Sequence, residues 1–243
     1  MNKIFISENN CNQSNMTYLY NSMSESIVDC KAQVDLDIDD KRVNVTYSVD
    51  EKYHDFLKQQ LEDKIAEIIA ISYKYYYFKN NIKTNGLSEE EFEFMLASLI
   101  AADFDDDKRF IKNKLKRISI YTIDGFFNFR LNALKNKWSE IAGYIPSYFN
   151  CEQLKDFISF LINDNNKGKK VFVDGDNVYD KFYNKLDRSS LLQNNFSKGK
   201  LITELILSGC DQIELRSKVG EYEEKYLKEF YSGRVIFAKN YFS

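Results

Sequence analysis

The chain has 243 residues, 44% hydrophobic and 29% charged, with a formal net charge of −3. This composition excludes a mostly disordered chain, and the acidic balance argues against a dedicated nucleic-acid binder, which carries a basic stripe or a high pI. The length suits one large domain or two modest ones.

Seventeen Tyr and nineteen Phe stand against one Pro and nine Gly, a balance that suits long helices and short loops. Lys3–Ser7 reads as a short strand whose apolar run is too short for a signal peptide. No apolar stretch approaches the ~20 residues of a membrane span, so a cytoplasmic chain without a membrane span is expected. In such a chain the Asn-x-Ser/Thr matches at Asn12, Asn15, Asn44 and Asn195 are chance occurrences. Cys11, Cys30, Cys151 and Cys210 form no C-x-x-C pair, which leaves zinc-ribbon and redox motifs without a basis. The last three adjoin apolar runs and read as buried or half-buried thiols.

Ser14–Val28 predicts a helix with Met16, Leu19, Tyr20, Met23 and Ile27 on one face. Val34, Leu36 and Ile38, the polar turn 39–42, and Val43, Val45, Tyr47 and Val49 alternate as a hairpin with one half-buried face. Asp50 opens a helix to about Phe78, striped by Leu57, Leu61, Ile65, Ile68 and Ser72. The opening half is thus β-α-β-β-α. Asn85-Gly86 punctuates the chain, and Ser88 with Glu91 forms a capping box. Asp103–Asp107 interrupts the next helix, and Arg109–Lys116 is a basic helical segment.

Ile118–Ile123 reads as a strand leading into a helix over 124–138. Asp124 is placed to cap that helix. Phe127, Leu131, Leu134 and Trp138 share one face while Phe129 points the opposite way, which predicts apolar neighbours on two sides. Arg130, on the shoulder of the stripe, has two readings: an anion or partner contact, or a half-buried Arg paired with a carboxylate or capping carbonyls. The chain's one proline, Pro146, breaks or kinks the continuation. Asn150 caps a helix over 152–162. A strand over 169–174, a Gly175-Asp176 turn and a return strand over 177–183 come next. Helix 197–207, strand 211–216, helix 222–231 and strand 234–238 complete the chain.

No catalytic signature is legible. The one histidine, His54, reads as an exposed helical residue, and neither G-x-x-x-x-G-K-[ST] nor G-x-G-x-x-G is present. The alternating Asp35, Asp37 and Asp39, and the run Asp103 to Asp107, both lack the glycine and terminal Glu of a calcium loop. Asp174 and Asp176 are the best metal candidates, although a hairpin turn favours these residues for backbone reasons alone. Tyr73–Lys79 mixes aromatics and lysines as a single-stranded nucleic-acid surface does, or packs as the end of a long helix with its tyrosine tips wet.

The segment Ile123-Asp124-Gly125-Phe126-Phe127-Asn128-Phe129-Arg130-Leu131 resembles the "DGF-x-x-FRL" stretch of the YtxC-like sporulation proteins of endospore-forming bacteria. Glu152–Leu161 resembles that family's "EY-x-EFI-x-LL" helix, and Leu201–Ile206 followed by Gln212–Leu215 resembles its "LIS-x-LI … KI-x-I" close. The resemblance covers roughly residues 118–237 and none of its motifs is catalytic. Leu154 stands where the family carries Tyr, and Val235–Ser243 lacks the family's cysteines, which removes the basis for a metal or redox role of the tail. The resemblance implies a sporulation-associated protein acting through protein contacts, with Asp124, Phe126 and Arg130 as the candidate binding residues.

The expectation is an α+β protein, with an N-terminal β-α-β-β-α portion (1–84) and a helix-rich portion with short strands (85–243), built around the helix over 124–138. The expected function is non-enzymatic, through an unknown protein partner and without a cofactor. The alternatives are a carboxylate- or metal-dependent enzyme and a weak nucleic-acid binder.

Overall fold

The computed structural model of the protein describes residues 1–118, 120–164, 168–192 and 198–238. In chain order the elements are β1 (Asn2–Asn9), α1 (Gln13–Ser22), α2 (Ser24–Asp29), β2 (Gln33–Ile38), β3 (Arg42–Val49), α3 (Glu51–Ile68), α4 (Lys74–Asn81), α5 (Glu89–Ala102) and α6 (Phe104–Leu115). There follow β4 (Tyr121–Thr122), α7 (Ile123–Arg130), α8 (Asn132–Tyr144), α9 (Cys151–Asp164), β5 (Lys170–Asp174), β6 (Asn177–Tyr179), β7 (Lys185–Leu186), α10 (Lys200–Ser208), β8 (Gln212–Leu215), α11 (Glu221–Phe230) and β9 (Val235–Phe237). The fold is α+β, with its strands gathered into two small sheets among the helices. Ser119, Asn195, Ser197 and the tail beyond residue 238 lie outside the described residues.

The chain forms two compact units, each made of two segments: 1–77 with 104–141, and 78–103 with 142–243. The sequence boundary at 84/85 falls inside the second unit.

The first unit holds a sheet of order β2-β3-β1-β4. Period-two alternation puts Ile4, Ile6 and Glu8 of β1 on the face shared by their cross-strand partners Tyr47, Val45 and Val43. All six are buried. The β2–β3 hairpin forms as the alternation predicts, and its turn is closed by Asp39, whose carboxylate accepts from the backbone N–H of Lys41 and Arg42 at 2.7 Å each. The expected strand over 118–123 contracts to Tyr121–Thr122, which lies parallel to Ile6–Ser7 of β1. Helix α7 begins at once at Ile123, so no further residue pairs.

Two helices are broken where the apolar stripe runs on. The one expected over 14–28 divides at Met23, with Tyr18 buried and Tyr20 exposed. The one expected over 124–138 leaves helical geometry at Leu131 (φ −114°, ψ 30°) and resumes at Asn132. Helix α7, and α8 as far as Ile141, belong to the first unit, whereas the sequence places them in the C-terminal portion. Leu131, Leu134 and Trp138 are buried as their spacing predicts, but Phe129 is 80% exposed, so α7 is covered on one side only.

Helix α3 buries Leu57, Leu61, Ile65 and Ile68, passes through a π turn over Ile69–Tyr73, and continues as α4. The wide turn inserts a residue into the helical register, rotating α4 by about 100° from the place an uninterrupted α-helix would give it. Lys74 is thereby carried into the interior, where its Nζ donates to Asp107 Oδ2 at 2.8 Å. Trp138 Nε1 donates to the same oxygen at 2.8 Å and Lys137 Nζ to Oδ1 at 2.7 Å. Lys74 and Asp107 are both fully buried. Asp107 lies in the first turn of α6, where the helix dipole also favours an anion. The expected interruption over Asp103–Asp107 is confined to Asp103, which separates α5 from α6, and Asp105–Asp107 form the first turn of α6.

The second unit holds a sheet of order β7-β6-β5-β8-β9, with β5, β8 and β9 parallel and β5, β6 and β7 antiparallel. Helix α10 connects β5 to β8 and α11 connects β8 to β9, as parallel strands require. Every residue from Leu201 to Ser208 is buried, and the Glu204 carboxylate accepts the backbone N–H groups of Arg188 and Ser189 at 3.1 and 2.7 Å. Ser88 and Glu91 form the expected capping box on α5. Asn150 and Gln153 bond each other's backbone N–H at 2.9 Å each at the start of α9. The return strand expected over 177–183 stops at Tyr179. Asp180 then draws in the N–H groups of Phe182 and Asn184, and Tyr183 takes φ +66°.

Asp107→Ala removes the carboxylate to which a buried ammonium and an indole N–H donate, and is expected to cost about 3–5 kcal/mol. The neighbouring Asp106→Ala removes only an exposed ion pair with Arg109 and should change stability by less than about 1 kcal/mol. Urea denaturation of both variants measures the contrast.

Candidate functional site

Adjacent residues of a strand point to opposite faces. At the end of β1 this separates two polar clusters of the first unit. Glu8 follows Ile4 and Ile6 inward and is wholly buried. Its carboxylate oxygens accept from Tyr73 Oη at 2.9 and 2.8 Å, from its neighbour Asn9 N at 2.7 Å, and from Asn12 Nδ2 and Asn15 Nδ2 at 3.4 Å each. Burial outweighs these bonds and raises the carboxyl above the ordinary glutamate range. Burial, then the adjacent Glu8, pushes the Tyr73 phenol far up, so Tyr73 stays a donor. Asn15 Oδ1 is buried without a partner. The π turn supports the cluster, because Tyr73 closes it.

Ser7 faces the other cluster. Arg42, the first residue of β3, grips Asp124 in a two-toothed pair, Nη1 to Oδ2 at 2.9 Å and Nη2 to Oδ1 at 2.8 Å. Its Nε donates to Ser7 Oγ at 2.9 Å, which in turn donates to Asn44 Oδ1 at 2.7 Å. The Arg42 and Asp124 side chains keep 27% and 22% of their surface in solvent.

Of the residues singled out from the sequence, Asp124 sits in the first turn of α7 but makes no cap; its carboxylate is taken by Arg42. Phe126 is buried, as a core residue. Phe127 packs against Tyr73 (ring centroids 4.6 Å) and Trp138 (5.9 Å), joining the Glu8 cluster to the Asp107 node through aromatic rings. Arg130 is exposed, which overturns its reading as a half-buried, paired Arg. Asp124 is thus engaged by Arg42, whereas Arg130 is exposed.

Asp174 and Asp176 are exposed on the two-residue turn Gly175–Asp176, where Gly175 takes φ +57° and its N–H is held by Ser217 Oγ. Among the described residues no group of three His, Cys, Asp or Glu side chains is placed to hold a metal ion. Lys74, Tyr75 and Phe78 are buried, Tyr73, Tyr76 and Tyr77 are half-buried and Lys79 is exposed, so the Tyr73–Lys79 segment packs into the fold as the end of a long helix with part of its polar surface wet. His54 is half-buried, with Nδ1 3.1 Å from Asp55. No helix among the described residues is long and apolar enough to cross a membrane.

The two clusters differ in what they can do. Glu8 is enclosed by its own partners and ties β1, α1 and the long helix together; it presents no group to solvent. The Arg42–Asp124 pair is open at its rim and fixes the start of α7 on the sheet. The signal for Glu8 was present in the sequence as a carboxylate in step with Ile4 and Ile6. Tyr73 and Arg42 carried none, since each acquires its role from a partner 65 or 82 residues away.

No family model, no curated protein and no solved structure matches the chain.

Because Glu8 is raised, the native state keeps its proton to higher pH than the unfolded chain. The stability tied to this group is full below the ordinary glutamate value and is lost as pH rises through the native one. Glu8→Gln removes that loss. The stability of the Gln variant relative to wild type is expected to rise as pH increases above the ordinary glutamate value. Urea titrations across that range measure it, and parallel pH profiles would show that Glu8 does not titrate there.

Proposed function

We propose that the protein is a non-catalytic, cytoplasmic contact module of the kind that the YtxC-like resemblance implies, and that the outer side of α7 meets its protein partner. The observation that carries this reading is the division of labour along α7. Ile123 and Phe126 are buried and Asp124 is held by Arg42, while Phe129 is 80% exposed and Arg130 projects beside it from the same eight-residue helix. An aromatic and an arginine side by side on a rigid support are the residue types that dominate protein interfaces. The partner that fits offers an apolar recess for Phe129 and a carboxylate for Arg130.

The test is affinity recovery of the tagged protein from sporulating cells, with mass spectrometry. A Phe129→Ser/Arg130→Glu variant, shown to be folded by circular dichroism, runs beside it. A stoichiometric partner present with wild type and reduced at least about tenfold with the variant is expected, since an interface anchor is worth about 2 kcal/mol or more. Equal recovery with both proteins would exclude this surface, and recovery of the protein alone would exclude the reading.

A further inference from the structure

The alternating aspartates that failed as a calcium loop lie on β2, the edge strand of the first sheet. One side of β2 is paired to β3 from Gln33↔Ser48 to Ile38↔Val43; among the described residues no strand pairs with the other side. Leu36 and Ile38 occupy the same face as the buried Val45 and Val43 opposite them, yet they are 61% and 48% exposed. The core covers β3 and stops short of β2. On the reverse face Asp35 and Asp37 are exposed, opposite the uncharged Thr46 and Asn44, and neither takes part in an ion pair among the described residues. The edge thus offers free backbone donors and acceptors, a short apolar ledge, and two uncompensated carboxylates at strand spacing.

We propose that this edge receives an extended segment of a partner chain in which basic and apolar residues alternate, adding it as a fifth strand beside β2. Charge selects this occupant over a second copy of the chain. In antiparallel self-pairing, setting Leu36 against Leu36 places Asp35 opposite Asp37 twice. Setting it against Val34 places Asp35 opposite Asp35, and setting it against Ile38 places Asp37 opposite Asp37. Like charges directly opposed destabilise a strand pair. The carboxylates bar self-association, the known hazard of an open edge, while an alternating Lys/Val strand meets carboxylate with ammonium on one face and apolar with apolar on the other. Backbone bonds then supply affinity and the alternation supplies specificity. This site lies apart from the outer side of α7 and does not rest on it.

The probes are three fluorescein-labelled synthetic peptides of equal length: Lys and Val alternating, the same residues in two blocks, and Glu and Val alternating. Each is titrated against the full chain by fluorescence anisotropy at low salt. The alternating Lys/Val peptide is expected to bind, with the other two at least about tenfold weaker. An Asp35→Lys/Asp37→Lys variant, its fold checked by circular dichroism, should reverse the preference between the Lys/Val and Glu/Val peptides. Leu36→Asp should weaken the Lys/Val peptide while the Phe129→Ser/Arg130→Glu variant leaves it unchanged, so failure here and failure of the α7 surface are read separately. Equal affinity for alternating and block peptides would reduce the edge to a nonspecific anionic patch and overturn the proposal. So would no binding at all, or wild-type dimers in sedimentation that Asp35→Lys/Asp37→Lys does not alter.

Discussion

The first unit depends on one buried charge. Asp107 receives a lysine from α4, a lysine and an indole from α8, and itself stands at the start of α6. An ammonium sealed from water is tolerable only when a carboxylate meets it. The positions of three helices are therefore coupled: none can slide without uncovering Lys74. Burial by itself would raise Asp107, but Lys74, Lys137 and Trp138 together hold it below the ordinary aspartate range. Asp63 is held low in the same way by Lys108 and Lys112, at 2.7 and 2.5 Å.

The π turn explains how this arrangement coexists with the Glu8 cluster. Tyr73 and Lys74 are neighbours in sequence and reach different partners: one closes on β1, the other on α6. Phe127 and Trp138 complete the circuit on the far side. Two ring contacts, Tyr73–Phe127 and Phe127–Trp138, two polar bonds, Trp138–Asp107 and Lys74–Asp107, and the peptide step from Tyr73 to Lys74 thus form a closed path, to which Glu8 is joined through Tyr73. The two acids respond to pH with opposite sign, since Asp107 stabilises the fold when ionised and Glu8 does so when protonated.

Much of the fold was legible because it is local. The β2–β3 hairpin came from strict alternation around an acidic turn, α5 from Ser88 and Glu91, and the end of α8 from Pro146. The features that stayed hidden were set at long range. Leu131 continues the apolar stripe across the break between α7 and α8, so periodicity carries no trace of the break. The strand before α7 was legible as a strand, but its partner, Ile6–Ser7, lies more than a hundred residues upstream, and that pairing assigns the helix to the first unit. Asp124 suits a cap and an ion pair equally well by residue type, and only the position of Arg42 decides between them. Exposure of Phe129 and of Leu36 is likewise a property of the surface that the rest of the chain leaves uncovered.

The two-segment construction of each unit has a consequence for synthesis. The first unit is interrupted after Tyr77 by a stretch of its neighbour and resumes at Phe104. When Lys74 leaves the ribosome, Asp107 and Trp138 do not yet exist. At translation rates of 5–20 residues per second the last of them emerges about 3–13 s later. Early in that interval the nascent helix carries its future core lysine without Asp107, and until residue 122 is made β1 lacks β4. The hairpin and the long helix can form early, but the unit locks only when α8 arrives, so its folding is timed by the segment inserted within it.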